Sequence, residues 1–371
     1  MKLRTLLCAA LLALCFARTA RADEASGTWT GVLEGRANYF YERSTRVVVP
    51  TGRLSIEAPN GIRMHADYLV DVITSASIAQ TGGDSDALFT ELRHGIGTGV
   101  GKTFQVGDNE LDLNLTGIYS TESDYRSVLF NLNGTFSWNE KNSSLRLGLI
   151  RVDDTIRNNM DATFHGELNG TTVQLGFNQV VSPVLLLSGG YTFVYLDGFL
   201  GNPYRKTQPM AGAPRMEQPP DSRVRHNAEV QLSWYMPTSR STLQLYMRTY
   251  IDSWELKALT PEVRWYQQLG EAWVARLRYR FYTQSKADFA LPRGQTRYPN
   301  EYTGPTTSDP KLSEFHSHQI GGRIELSLSV LRDTLLDFAS RATLDINFDY
   351  QWCTSSFGNN VIATAGGRLP F

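Results

Sequence analysis

Beyond its first 22 residues the chain has no apolar run approaching the roughly 20 residues that a helix needs to cross a bilayer. A helical membrane protein is therefore excluded for that remainder. Charge of one sign is also missing. With 36 Lys plus Arg against 37 Asp plus Glu, the formal charge is -1, and no polybasic affinity for nucleic acid is expected. Cysteine is scarce: Cys8 and Cys15 lie in the apolar N-terminal stretch, and cleavage after it leaves Cys353 alone, with no intramolecular disulfide to build. No cofactor is implied. Only Asp23 to Trp29 precede the first strand-like segment, too few residues for the soluble plug of a siderophore-type transporter.

What is present begins with a secretory leader. Lys2 and Arg4 form a positive start, Leu6 to Ala17 an apolar stretch, and Ala20-Arg21-Ala22 a small-x-small cleavage site. The expected organisation is a signal peptide over residues 1–22 and one β-barrel over residues 23–371. A chain exported without a helical anchor is periplasmic, secreted or an outer-membrane barrel. The aromatics and the 31 glycines suit a chain of many strands and many turns.

Residues 341–352 show the organising pattern. Ala342, Leu344, Ile346, Phe348, Tyr350 and Trp352 fall on one face of an extended strand. Arg341, Thr343, Asp345, Asn347, Asp349 and Gln351 fall on the other. The same alternation predicts strands at 30–42, 44–57, 61–73, 86–101, 108–119, 125–138, 143–154, 170–181, 184–196, 223–236, 241–252, 255–268, 271–284, 315–329, 341–352 and 359–371. Many are longer than the five or six residues usual in soluble proteins, and match the roughly nine to eleven needed to cross a bilayer.

Loop length sorts by parity. Even-to-odd connections such as Ala58-Pro59-Asn60, Ser182-Pro183 and Leu269-Gly270 are tight, whereas 74–85, 155–169, 197–222 and 285–314 are long. Outer-membrane barrels have short periplasmic turns and long outer loops. A soluble sandwich with an aromatic core is the alternative, and it has no reason for this sorting. The tight odd-to-even connections at Arg43 and Ser253-Trp254 break the rule, as do residues 331–340, which are long for a periplasmic turn and are expected to hold a helical turn.

The expected fold is thus an all-β, transmembrane, antiparallel up-and-down barrel of about sixteen strands, with lipid as its principal partner. Trp138, Trp234 and Trp273 adjoin short turns, as a periplasmic aromatic girdle requires. The C-terminal Phe371, preceded by Leu369 in phase, resembles the signal read by barrel-assembly machinery, which implies that machinery as a partner. Tyr68-Leu-Val-Asp-Val-Ile-Thr-Ser-Ala-Ser77 and Tyr279-Arg-Phe-Tyr-Thr-Gln-Ser-Lys-Ala-Asp-Phe289 resemble two signature segments of a family of uncharacterised exported bacterial proteins, expected to be outer-membrane barrels. The resemblance implies location and fold. It brings no catalytic or binding residues.

A barrel of this size encloses water, so its inward residues decide what passes. Arg276, Arg278 and Arg280 lie on one wall, each about 7 Å from the next. They read either as a ladder for anionic solutes and sugar acids or as wall braces paired with acids on neighbouring strands. Tyr246, Tyr250, Tyr266 and Tyr282, on neighbouring strands, read as a sliding surface for sugars or as lumen filling. Arg248, Arg264, Asp345 and Asp349 complete the pore-lining candidates.

The expected function is a passive, non-enzymatic conduit for hydrophilic solutes. A narrower version is a polysaccharide export pore working with periplasmic export proteins. The competing classes are a phospholipase-like barrel hydrolase and an adhesion barrel that binds through its outer loops, and a homo-oligomer is compatible with each. His316-Ser317-His318 faintly resembles a phospholipase element, but Ser317 takes the opposite face from both histidines. The two histidines share a face that could bind a metal, although an interfacial position is the blander reading.

Overall fold

Alternating side chains over segments of eleven to nineteen residues leave the backbone one way to satisfy its hydrogen bonds inside a bilayer, which is to pair every edge. The computed structural model describes residues 27–43, 45–76, 88–292 and 295–371, so the expected leader over residues 1–22 lies outside the described residues. In chain order the strands are β1 (Thr30–Glu42), β2 (Thr45–Glu57), β3 (Ile62–Ala76), β4 (Leu88–Val106), β5 (Asn109–Thr121), β6 (Tyr125–Trp138), β7 (Ser143–Arg157), β8 (His165–Ser182) and β9 (Leu185–Gly198). Two short strands of an outer loop follow, β10 (Lys206–Pro209) and β11 (Arg215–Met216). Then come β12 (Ser222–Met236), β13 (Ser241–Asp252), β14 (Lys257–Leu269), β15 (Trp273–Gln284), the short loop strand β16 (Arg297–Tyr298), β17 (Phe315–Ser327), β18 (Thr343–Cys353) and β19 (Asn360–Pro370).

Sixteen of these form a closed antiparallel barrel, each long strand pairing with the next and β1 pairing with both β2 and β19. All sixteen coincide with the strands expected from alternation. With strands about 4.8 Å apart and tilted as barrels require, the wall is about 30 Å across. The seam continues past β19, where Gly31 and Phe371 exchange two backbone hydrogen bonds of 2.9 Å. The Phe371 ring lies over Gly31, where a Cβ would meet it at 2.3 Å.

Two boundaries differ from expectation by five residues, and several others by two or three. β4 runs five residues beyond Gly101, and its turn is built on Gly107, at φ 61°. β8 starts at His165, so the outer connection before it shrinks to residues 158–164. In both cases backbone pairing continues where side-chain alternation is weak. Arg341, expected on the strand face, precedes β18 at the periplasmic rim. The long periplasmic connection does contain two 3-10 turns, Leu328–Leu331 and Asp337–Ala339, as its length implied.

Burial is inverted relative to a soluble protein. Of the ten hydrophobic residues buried among those described, seven (Tyr204, Trp254, Leu256, Ala287, Phe289, Ala290 and Tyr298) sit in outer loops. Leu277 and Ile346 are both 67% exposed, and Trp234 and Trp273 lie open on the barrel exterior. That belt rejects the sandwich with an aromatic core. Three outward tyrosines at mid-strand bond histidines that lie toward the outer end of the next strand: Tyr68 to His94, Tyr191 to His226 and Tyr279 to His318, at 2.9, 2.7 and 2.9 Å. Rings with polar tips of this kind suit a membrane interface.

Candidate functional site

Strand parity places the candidate site on the inner wall. The cross-strand register puts Arg276, Arg278, Arg280 and Tyr282 beside Arg323, Gly321, Gln319 and Ser317, on the face opposite the lipid belt. The expected arginine ladder exists as a row, and its members have different partners. Arg280 and Arg264 both clamp Glu262, which is 2% exposed. Arg278 reaches Asp349 at 2.7 Å across the whole width of β17. Gly321 makes room for that bridge, since a Cβ there would lie 1.6 Å from the Asp349 carboxylate. Arg276 crosses the same strand to the Asn347 amide oxygen at 2.5 Å and has no carboxylate partner among the described residues.

Two further bridges share this construction. Arg36 reaches Asp345 at 2.9 Å over Gly366 of β19, and Asp345 also faces Arg323 at 3.5 Å. On the other wall Arg63 pairs with Asp112 across β4, and Thr103 of β4 donates to the same carboxylate at 2.7 Å. The bracing reading therefore describes Arg264, Arg278, Arg280, Asp345 and Asp349. Arg248, like Arg276, has no ion-pair partner among the described residues.

The inward tyrosines are engaged at their hydroxyls, and two of their rings are partly covered, Tyr246 by the Arg264 guanidinium at 5.6 Å and Tyr282 by Phe315 at 5.4 Å. Tyr246 donates to Glu229, Tyr250 to Asp252 and Tyr282 to Gln284, each at 2.6 Å. Tyr266 stands opposite Arg276 in the register. The Ser-His pairing of a hydrolase is not assembled by the triplet at 316–318. Ser317 faces inward and accepts the Gln351 amide at 2.7 Å, while His316 and His318 pack on Phe281 outside.

Alternation gave no signal for the outer cap. The connections 199–221 and 285–314 join through β10, which pairs with β11 and runs parallel to β16. At its centre Glu217, 3% exposed, accepts from the Asn202 backbone at 2.7 Å, Arg205 at 3.2 Å and the Thr307 hydroxyl at 2.9 Å. Arg205 also binds Asp309 at 3.0 Å, tying one loop to the other. Beneath them Trp254 packs with Ala287, Phe289 and Ala290, and the Arg223 guanidinium lies 4.0 Å above its ring. Arg223 and Gln284 face inward, and Gln284 donates to Lys311 and Ser313 of the loop. These contacts set the cap over the mouth. The Trp in the short turn 253–256 was its only local trace.

The cap meets the rim at an acidic corner. Tyr204 donates to Asp124 and accepts from the Asn159 backbone at 2.9 Å. Beside it, in the turn between β5 and β6, burial and then the neighbouring Glu91 and Asp124 push the Glu122 carboxyl up to about 7, with Asp71 adding to the effect and Arg93 opposing it. A released turn would hold that proton less tightly. The folded rim is therefore stabilised fully below the ordinary carboxylate range and loses this contribution as pH rises through about 7. The thermal midpoint of the folded barrel is expected to fall between about pH 6 and about pH 8. Glu122→Gln should flatten that fall, and an unaltered profile would refute the assignment.

The chain was compared with known proteins. The profile described as "Protein of unknown function (DUF3570)" matches residues 85–170 and 157–340. No curated protein matches in sequence. Among solved structures, a "Bacterial polysaccharide outer membrane secretin" is similar over 94% of this chain and 100% of its own, at 9% identity and a TM-score of 0.53. A loop-deletion mutant of OmpT, an outer membrane protein of Vibrio cholerae, covers 94% and 100% at 9% identity and a TM-score of 0.46. Pseudomonas aeruginosa OpdK with vanillate covers 92% and 98% at 9% identity and a TM-score of 0.44. At such identity the likeness to the first shows the fold alone, that of an outer-membrane barrel.

Proposed function

From the premise that the chain belongs to the DUF3570 family, whose function is unknown, we propose that it is a passive channel of the outer membrane for small hydrophilic solutes. The observation that carries this reading is the inverted burial: an apolar exterior around an inner wall of arginine, carboxylate, amide and tyrosine side chains. A barrel about 30 Å across is too wide for side chains alone to fill. The structured cap narrows the outer mouth, which favours small solutes over bulk flow. Liposome swelling and planar-bilayer recording of the detergent-purified chain test this directly. Discrete conductance steps and swelling in small sugars are expected, and a silent protein would overturn it.

Within this reading, Arg248 and Arg276 supply unbalanced positive charge to the lumen. Arg248→Gln and Arg276→Gln should each lower anion preference, read as a reversal-potential shift in a salt gradient, without loss of thermal stability. Equal selectivity in both variants and the parent would remove these residues from the permeation path.

Export of a polysaccharide with a periplasmic partner is the second reading. The observation favouring it lies at the periplasmic rim, where Val330, Leu335, Leu336 and Phe338 of the β17–β18 connection are all exposed. Charged substitutions at Leu335 and Phe338 would then abolish polymer export in cells while leaving the conductance of the purified barrel intact.

A further inference from the structure

One stretch of the inner wall combines missing side chains with unspent charge. Across β7, β8, β9 and β12 the register aligns Arg146, Gly176, Gly190 and Glu229. At about 4.8 Å per strand the two charged residues start about 14 Å apart, with two inward glycines between them. The gap is a niche of about 290 Å³. Gln174 and Thr192 border it on the outer side, and Asn178, Ser188 and Gln231 on the periplasmic side.

Most inward arginines elsewhere are matched to carboxylates, but these two charges are not. The Arg146 guanidinium donates only to the Asn133 amide oxygen at 3.0 Å, and no carboxylate pairs with it among the described residues. Glu229 accepts from Tyr246 at 2.6 Å through one oxygen, while the other lies over Gly190, 2.9 Å from where a Cβ would be. No cation lies within ion-pair distance of Glu229 among the described residues. Arg248 is its register partner on β13, so the row as a whole carries one positive charge in excess.

We propose that this niche is a binding site for a sugar acid of the hexuronate class. Arg146 takes the carboxylate in a charge-assisted, forked hydrogen bond. The free Glu229 oxygen accepts a ring hydroxyl, and the bordering amides and hydroxyls serve the remaining polar edge. The glycine floor admits the ring that a side chain at Gly176 or Gly190 would exclude. The excess positive charge selects an anion over a neutral hexose or a zwitterion. The site deepens the channel function proposed above and rests on it for the arrival of the solute.

The test is calorimetric titration of sodium glucuronate into the full-length chain in detergent, paired with bilayer recording of the same preparation. Saturable binding is expected, at least tenfold tighter than for glucose or glycine, and at least tenfold weaker in Arg146→Gln. Gly176→Val provides a second variant that fills the floor, and its Cβ meets Arg146 at an ordinary 3.5 Å, so the wall tolerates it. Heat-modifiable gel mobility verifies folding. Glucuronate binding no tighter than glucose, tighter binding of glycine, or unchanged binding in both variants would overturn the site while the currents persist. Glucuronate binding in a preparation without currents would uphold the site and sink the channel.

Discussion

Replacing Glu217 by alanine is expected to unlatch the outer cap and raise single-channel conductance severalfold. Glu217 is buried at the point where the loops 199–221 and 285–314 meet, and four groups of those loops donate to it: the Asn202 backbone, Arg205, the Thr307 hydroxyl and the Ser308 backbone. Its removal leaves Arg205, which is largely buried, with Asp309 alone. Breaking a buried ion pair from one side costs about 3 kcal/mol or more, enough to undock a surface segment that has only a small apolar cluster of its own. The barrel wall shares none of these bonds, so its thermal transition should not move. A variant with parental conductance would show that the cap does not limit flow.

The second large effect is expected at Glu262. Its carboxylate is enclosed by the Arg264 and Arg280 guanidinium groups, and Glu262→Gln would leave those two charges without a counterion. The expected cost is about 2 to 3 kcal/mol, below that of a fully buried unpaired charge because both arginines reach lumen water. Two readouts separate it from a general packing defect. The thermal midpoint of the folded band should fall, and anion preference should rise as positive charge is released into the lumen. A drop in stability with unchanged selectivity would place the pair outside the path of ions.

Much of the wall was legible in the sequence because period-two alternation reports directly on which face meets lipid. Leu344 to Trp352 and Asp345 to Gln351 separate in the structure as the alternation requires. The signal fades where inward positions carry no side chain. Gly95, Gly97, Gly99 and Gly101 occupy successive inward positions of β4, and the expected strand stopped there although pairing runs on to Val106. The pairings of the arginine row were not legible either, since Arg278 and Asp349 are 71 residues apart and the strand between them contributes only the absence of a side chain at Gly321. The cap left the weakest trace of all. Its contacts join residues about 90 positions apart, such as Glu217 and Thr307, in segments without periodicity.

The ion bridges that span β4, β17 and β19 bind staves that are not neighbours in the sheet, in the manner of hoops around a cask. Backbone ladders resist shear between adjacent staves but permit the circumference to flex. Clips that skip a stave hold the local curvature, and with it the bore. A conduit hooped in this way cannot swell to admit a larger guest. Under the channel function proposed above, sieving by girth would then fall to the lid, and the walls would sort by charge.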